Sequence, residues 1–356
     1  MTRLHPFING PAGRCALGLL LALAVATGLV LAAHAEPIGA LLAMIDGAFG
    51  SRYNIAETLV QAAPLAIVAL GVAPAVRAGI FTIGSEGQLI AGAAAATAAI
   101  LAIGPAPAAV LLTVGALAGA AGGAAWALIP AILRAYFRVN EVLSTLLLNY
   151  VAGYGLVWLL KSSLATHAMV ATPRSDPLPA NALIPTLLDG TRLHAGVLAV
   201  PLAALLLGWW LRSPRGLVYD VFATRPALSL RLGLREPRAV ITTMLVAGAA
   251  AGFVGWLQVA GLTGTLYPSV GGNLGFSGIL VAVLGGLRPL GILAIALVMG
   301  ALTTGANGLQ MGTGVPASLS TVIQGLLLLV AALAFNGRRR ASRPMVPIVT
   351  TMEAPL

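Results

Sequence analysis

The chain has 356 residues, of which 59% are hydrophobic and only 8% charged, with a formal net charge of +10. Soluble domains carry about 25% charged residues, so a water-soluble fold of this size lacks a polar shell and is excluded. Nineteen of the twenty basic residues are Arg, set in short segments between apolar runs. That pattern encodes membrane orientation and argues against a nucleic-acid partner.

Ten apolar runs, most near the 20 residues that cross a hydrocarbon core of about 30 Å, predict an all-α polytopic membrane protein with one transmembrane domain over 1–356. The first runs from Cys15 to Ala33, after a basic tail at 1–14. Ala33-His34-Ala35 before Glu36 has the form of a signal-peptide cleavage site, but the apolar run of about 18 residues exceeds the usual 7–15, and a retained helix is expected. A polar stretch through Asp46, Arg52 and Asn54 follows. The second run is Thr58–Val76, ending at Arg77, and the third is Phe81–Ile103, closed by Gly104-Pro105-Ala106-Pro107. The fourth, Ala108–Leu133, precedes Arg134 and Arg138, and the fifth is Asn140–Leu160.

A Pro-rich polar loop then covers Lys161–Leu193. The sixth run, His194–Leu211, leads into a basic loop at 212–238, and the seventh is Ala239–Ala260. After the Gly-rich stretch Gly261–Gly275 come a short eighth run, Phe276–Leu287, a ninth, Pro289–Leu309, and a tenth, Pro316–Phe335. Arg338, Arg339 and Arg340 open the final tail, 338–356. With the N-terminus inside, the external segments hold Arg52, Lys161, Arg174 and Arg192, leaving sixteen of the twenty basic residues in the cytoplasm. The positive-inside rule thus places both termini in the cytoplasm.

The 43 glycines suit close helix packing, which replaces the hydrophobic effect between helices in lipid. Two regions break the helical pattern. Arg77 to Gln88 places three glycines, Glu86 and an amide beside the third run. Gly261 to Gly278 carries Gly271-Gly272, Asn273 and Gly275-Phe276-Ser277-Gly278. Irregular backbone at membrane depth is tolerated only where protein or a wet cavity surrounds it, and paired breaks in two halves point to a transport path. By this topology the two runs that follow the breaks point in opposite directions, as an inverted repeat requires. Glu141, Ser144, Thr145 and Asn149 share one side of the fifth run at helical spacing. A carboxylate there must face protein, water or the positive end of its own helix.

Catalytic constellations are missing from the sequence. A phosphate-binding P-loop needs a Lys after its glycines, and the only lysine, Lys161, follows Leu159-Leu160. Gly275-Phe276-Ser277-Gly278 matches the GxSG of rhomboid proteases, but no histidine follows Ser277 to act as base. The four histidines lie at 5, 34, 167 and 194, and none has metal-ligand spacing. A single cysteine, Cys15, allows no internal disulfide.

Four segments carry a resemblance. Phe81-Thr82-Ile83-Gly84-Ser85-Glu86-Gly87-Gln88 resembles the FNIGAEGQ signature of nucleoside and simple-sugar ABC importer permeases. Val139-Asn140-Glu141-Val142-Leu143-Ser144-Thr145-Leu146-Leu147-Leu148-Asn149-Tyr150 is similar to their NEVISTIMLNY segment. Gly275-Phe276-Ser277-Gly278-Ile279-Leu280-Val281-Ala282-Val283-Leu284-Gly285 is similar to their GFDGIAVALLG stretch. Val315-Pro316 with Ile323-Gln324-Gly325 resembles their closing helix. The match is ordered over about 58–335. Related ribose-type and branched-chain amino acid permeases differ at the first signature, where Glu86-Gly87-Gln88 favours the nucleoside branch.

This resemblance implies a translocation subunit in a bacterial cytoplasmic membrane, without a cofactor or chemistry of its own. ATP would be hydrolysed by separate ATPase subunits. A second permease chain, commonly a different paralogue, and an external solute-binding protein or lipoprotein would complete the importer. The translocation path is expected at Phe81, Glu86, Gln88, Glu141, Thr145, Asn149, Asn273 and Phe276. The basic loop corresponds to the family's coupling helix, whose pattern resembles RAVGxNPxAARxAGI. Here Arg225-Pro226 leads to Arg231 and Gly233; Pro226, Arg231 and Gly233 match, while the initial Arg and the Gly-x-Asn do not. Two other readings compete: an ion-coupled secondary transporter using Glu86 or Glu141, and a membrane enzyme using Ser277.

Overall fold

The computed structural model describes residues 36–167 and 172–313, and residues 27, 28, 31, 322 and 325 besides. Among them the regular structure is helical, apart from an isolated bridge between Thr186 and His194. In chain order the α-helices are α1 (Pro37–Phe49), α2 (Arg52–Arg77), α3 (Ser85–Ile103), α4 (Ala108–Phe137), α5 (Glu141–Lys161), α6 (Ala199–Arg212), α7 (Pro214–Thr224), α8 (Pro226–Arg231), α9 (Glu236–Gln258), α10 (Leu274–Leu284) and α11 (Pro289–Thr313).

Among the described residues, seven helical segments are long and apolar enough to cross a membrane: α2, α3, α4, α5, Ala195–Arg212, Glu236–Thr263 and Pro289–Gly312. They match the expected second to seventh and ninth runs. The eighth becomes α10, whose 11 residues rise about 16 Å, half a hydrocarbon core. The first and tenth expected runs, with both tails, lie outside the described residues apart from the isolated positions given above.

One difference concerns the polar stretch before α2. It holds α1, and α2 begins at Arg52 rather than Thr58. Ser51 caps α2 by accepting the Asn54 N–H at 3.0 Å. In α1, Ile38, Leu41, Leu42 and Ile45 are exposed while Gly47 lies against Gly308 of α11. Asp46 inside α1, with Arg52 and Asn54 just beyond it in α2, masked an apolar face that recurs at helical spacing.

The centre of the bundle is α9, packed on α4, α3 and α2, while α11 packs on α1 and α2. Small residues set these distances. A Cβ on Gly252 would fall 2.2 Å from the Gly119 carbonyl oxygen of α4, and one on Gly255 would fall 2.2 Å from the Leu89 carbonyl oxygen of α3. Backbones in such contact gain dispersion energy that lipid tails cannot match. Helix α2 is almost wholly enclosed, whereas α6 exposes Leu202, Leu205, Leu206 and Trp209. Such an apolar rim suits hydrocarbon or the apolar face of another helix.

Candidate functional site

Between α2 and α3 the chain leaves the helix for seven residues, 78–84. Helix α2 stops at Ala78 and Gly79, the latter at φ 78°, and the Ile80 N–H returns to the Ala75 carbonyl at 2.9 Å. A free backbone group inside a bundle costs several kcal/mol if it finds no partner. Here α5 supplies the partners. Asn140 caps α5 by accepting the Val142 and Leu143 N–H groups, which aligns Thr145 and Asn149 along one face. Thr145 Oγ1 accepts the Ile83 N–H at 3.2 Å. Asn149 Nδ2 donates to the Ile83 carbonyl at 2.8 Å, and its Oδ1 accepts the Gly87 N–H at 2.9 Å.

The second break follows α9, which ends in a π-helical turn, Val259–Thr263, and the left-handed Gly264. The connection closes with Gly272 and Asn273, both at positive φ, before α10. Helix α10 opens on the carboxylate of Glu86. Its Oε1 accepts the Asn273 N–H at 3.0 Å and its Oε2 the Gly275 N–H at 2.8 Å. Glu86 also sits in the first turn of α3. One buried carboxylate thus faces the positive ends of two helices, each of which favours a negative charge. The first turns meet at backbone distance: a Cβ on Gly275 would fall 2.2 Å from the Glu86 nitrogen.

Of the residues singled out from sequence, Glu86, Thr145, Asn149 and Asn273 come together at this junction. Gln88 is 1% exposed, and neither of its amide atoms finds a hydrogen-bond partner; the Ser85 hydroxyl beside it is likewise unpartnered. Phe81 is exposed and Phe276 half-buried at its edge. Glu141 stands apart. It forms an ion pair with Arg134 at 3.1 Å, and Arg134 reaches Glu236 at 3.5 Å, so it ties the end of α4 to the starts of α5 and α9.

The basic loop folds into α7 and α8, joined at Arg225, with Gly233 at φ 87° behind them. Arg225, Arg231 and Gly233 are exposed, as are Leu228, Leu230 and Leu232. Pro226 begins α8. The contact missed from sequence is an ion pair of Arg77, at the end of α2, with Asp220 of α7, in which Nε donates to Oδ1 and Nη2 to Oδ2. Gly79 of the first break lies beside Ala223 of α7. The available signal was Asp220 itself, a carboxylate in mid-loop among six arginines, where a cationic partner is expected.

Residues 54–332 match the model of a family described as branched-chain amino acid transport system / permease component. A guanosine ABC transporter permease protein of Bacillus subtilis, NupP, is 30% identical, covering 90% of this chain and 92% of that protein. A glucose ABC transporter permease protein of Haloferax volcanii is 31% identical over 89% of this chain and 86% of its own. A nucleoside ABC transporter permease protein of Lactococcus lactis, NupB, is 29% identical over 86% of each. No solved structure gives a significant match.

Proposed function

Because the chain belongs to the branched-chain amino acid transport system / permease component family, we propose that it forms the membrane path of an ABC importer for nucleosides, with simple sugars as the neighbouring class. Two of the three relatives above are named for nucleosides or guanosine and one for glucose. The observation that carries the reading is the double contact of Glu86 with Asn273 and Gly275. It joins two interrupted helices at one point, so movement of either is felt by the other.

In this mechanism no covalent chemistry occurs in the chain. ATP is hydrolysed by partner subunits, a second permease of different sequence completes the path, and an external binding protein delivers the solute. Both termini lie in the cytoplasm of the bacterial inner membrane. ATPase closure pushes α7 and α8 through Arg225, Pro226, Arg231 and Gly233. The Arg77–Asp220 ion pair passes that motion to α2 and the first break. Phe81, Gln88, Asn273 and Phe276 border the path, while Glu86, Thr145 and Asn149 hold its broken backbone. Differential binding of ATP and of the loaded binding protein to the two states drives the alternation.

The test is purification from the native membrane in mild detergent, followed by reconstitution. Recovery with a P-loop ATPase and ATP-dependent guanosine uptake supports the reading. Uptake by this chain alone, without ATP and abolished by an uncoupler, overturns it in favour of an ion-coupled carrier.

A further inference from the structure

A cavity of about 260 Å³ opens beside the second break, walled by Gln61 of α2, Gln258 at the end of α9, and Thr263, Thr265, Tyr267 and Ser269 of the connection into α10. Its size is near the lower bound of small-molecule sites. Its polar groups are two amides, three hydroxyls and a phenol, with no ionisable carboxylate, ammonium or guanidinium. Two larger grooves, along α2, α6 and α9 and along α3, α4 and α5, are walled mainly by Leu, Ala, Val and Trp and suit lipid or another helix, while a polar one of about 440 Å³ between α1, α2 and α11 carries the charges of Asp46, Glu57 and Arg192.

Two of the polar side chains, Gln61 and Thr263, are held in place. Gln61 Nε2 donates to Glu57 Oε1 at 2.9 Å, and Arg192 pairs with the same oxygen at 3.4 Å. Because a carboxylate only accepts, this fixes the Gln61 amide orientation and keeps its carbonyl oxygen as an acceptor. Thr263 Oγ1 donates to the Thr265 carbonyl at 2.8 Å. The wall is stitched to the 161–193 loop by Ser175 N–H to the Leu266 carbonyl, Leu266 N–H to Ser175 Oγ, and Leu178 N–H to the Gly264 carbonyl. Gly272 and Leu274 also border the cavity, on either side of the Asn273 that binds Glu86.

We propose that this cavity is a subsite for an uncharged ribonucleoside on its way to the junction. The amides and hydroxyls exchange hydrogen bonds with the sugar, and the Tyr267 ring packs on the heterocycle. With no cation in the wall, a phosphorylated nucleoside has no counter-charge there and is refused, since a desolvated dianion is costly. The site rests on the nucleoside reading above, and deepens it by naming where the chain itself selects. Occupation touches the backbone on both sides of Asn273, so a seated solute acts directly on the Glu86 contact.

The assembled importer in proteoliposomes tests this with Ser269→Cys in a Cys15→Ser background, since Ser269 is exposed. Guanosine is expected to slow methanethiosulfonate modification of that cysteine about fivefold or more, and guanosine 5′-monophosphate to leave the rate unchanged. Tyr267→Ala and Gln258→Ala are expected to cut guanosine uptake about tenfold, as for loss of one good ligand contact, while still co-purifying with the ATPase. Guanosine uptake with no protection of the cysteine, and with both variants within about twofold of the parent, overturns the subsite alone. A parent importer that takes up glucose but no nucleoside overturns the substrate reading and the subsite with it.

Discussion

Glu86 and Gly275 are 189 residues apart in the chain, yet the Gly275 N–H meets the Glu86 carboxylate at 2.8 Å. The Asn273 N–H binds the other oxygen at 3.0 Å. Two orphan donors at the start of α10 are therefore satisfied by a side chain from the start of α3. The cap comes from another helix, so breaking it unlinks two elements rather than fraying one.

Glu86→Gln tests that link at almost constant shape. The amide brings an NH₂ group toward a backbone N–H, so one of the two bonds is lost and the other loses its charge. Hydrogen bonds to charged groups contribute about 1.5–3 kcal/mol each, so uptake is expected to fall at least about tenfold. ATPase co-purification should persist, because α7 and α8 are untouched. Uptake equal to the parent in proteoliposomes would show that the cap is dispensable.

Gly275→Ala places a methyl 2.2 Å from the Glu86 nitrogen, where a backbone has to move. Gly153→Ala on α5 meets nothing within 4 Å, and in a helix interior alanine gains up to about 1 kcal/mol over glycine. The first variant is expected to lower the melting temperature in detergent by several degrees and to abolish uptake; the second is expected to match or exceed the parent. Equal melting curves for the two would refute the close approach of α3 and α10.

Much of this junction was legible in the sequence because polar residues are rare within the apolar runs and in the Gly-rich break beside the eighth. Glu86, Asn149 and Asn273 stood out on that ground, and the glycines around them marked the breaks. Which groups pair was not legible. The partners of Glu86 are backbone N–H groups, which every residue but proline carries, so composition gives no sign of them. Glu141 shares the helical spacing of Thr145 and Asn149, yet its carboxylate pairs with Arg134. Spacing fixes a face but not the level along it. The helix at 37–49 gives less sign of itself, since its 13 residues are too few to cross a hydrocarbon core and Asp46 interrupts its apolar sequence.

Asn149 uses both ends of its amide, one on the Ile83 carbonyl and one on the Gly87 N–H. Asn149→Leu leaves a buried acceptor and a buried donor unmet, at about 1–3 kcal/mol for each. Asn149→Asp keeps the acceptor for Gly87 but sets a carboxylate oxygen against a carbonyl. Both variants are expected to melt lower than the parent, and Asn149→Gln is expected not to rescue them, since one added methylene shifts the amide out of register. A thermal-shift measurement on purified protein decides it; unchanged melting for the Leu variant would mean water replaces the amide.

Asp176 in the 161–193 loop accepts from Thr166 Oγ1 at 2.7 Å, meets His167 Nδ1 at 2.6 Å and accepts the His167 N–H at 3.0 Å, and these bonds hold its pKa down to about 2. A carboxylate depressed on folding contributes stability above its unfolded value near 3.9, and that contribution is lost as pH falls through its folded value. The difference in amide exchange between parent and Asp176→Asn at His167 and Ser175 is therefore expected to hold at neutral pH and to shrink between about pH 4 and pH 2. A difference that vanished between about pH 8 and pH 5 would assign the tie to another group.

Arg77 ends α2, and Asp220 sits in the middle of α7, so their ion pair is the direct polar link between the first break and the basic loop. Both side chains are partly exposed, and charge pairs of that kind contribute little to stability. Their worth lies in transmission. Arg77→Ala and Asp220→Ala are each expected to leave the melting temperature nearly unchanged but to reduce guanosine uptake per ATP hydrolysed severalfold. The reversed pair, Arg77→Asp with Asp220→Arg, restores the attraction in the opposite sense, and should recover much of the loss if the link itself matters. Measuring uptake and ATP hydrolysis on the same proteoliposomes separates coupling from assembly. Single variants that keep the parent's stoichiometry, or a reversed pair no better than either, would place the transmission elsewhere, leaving the contact of Gly79 with Ala223 to carry it.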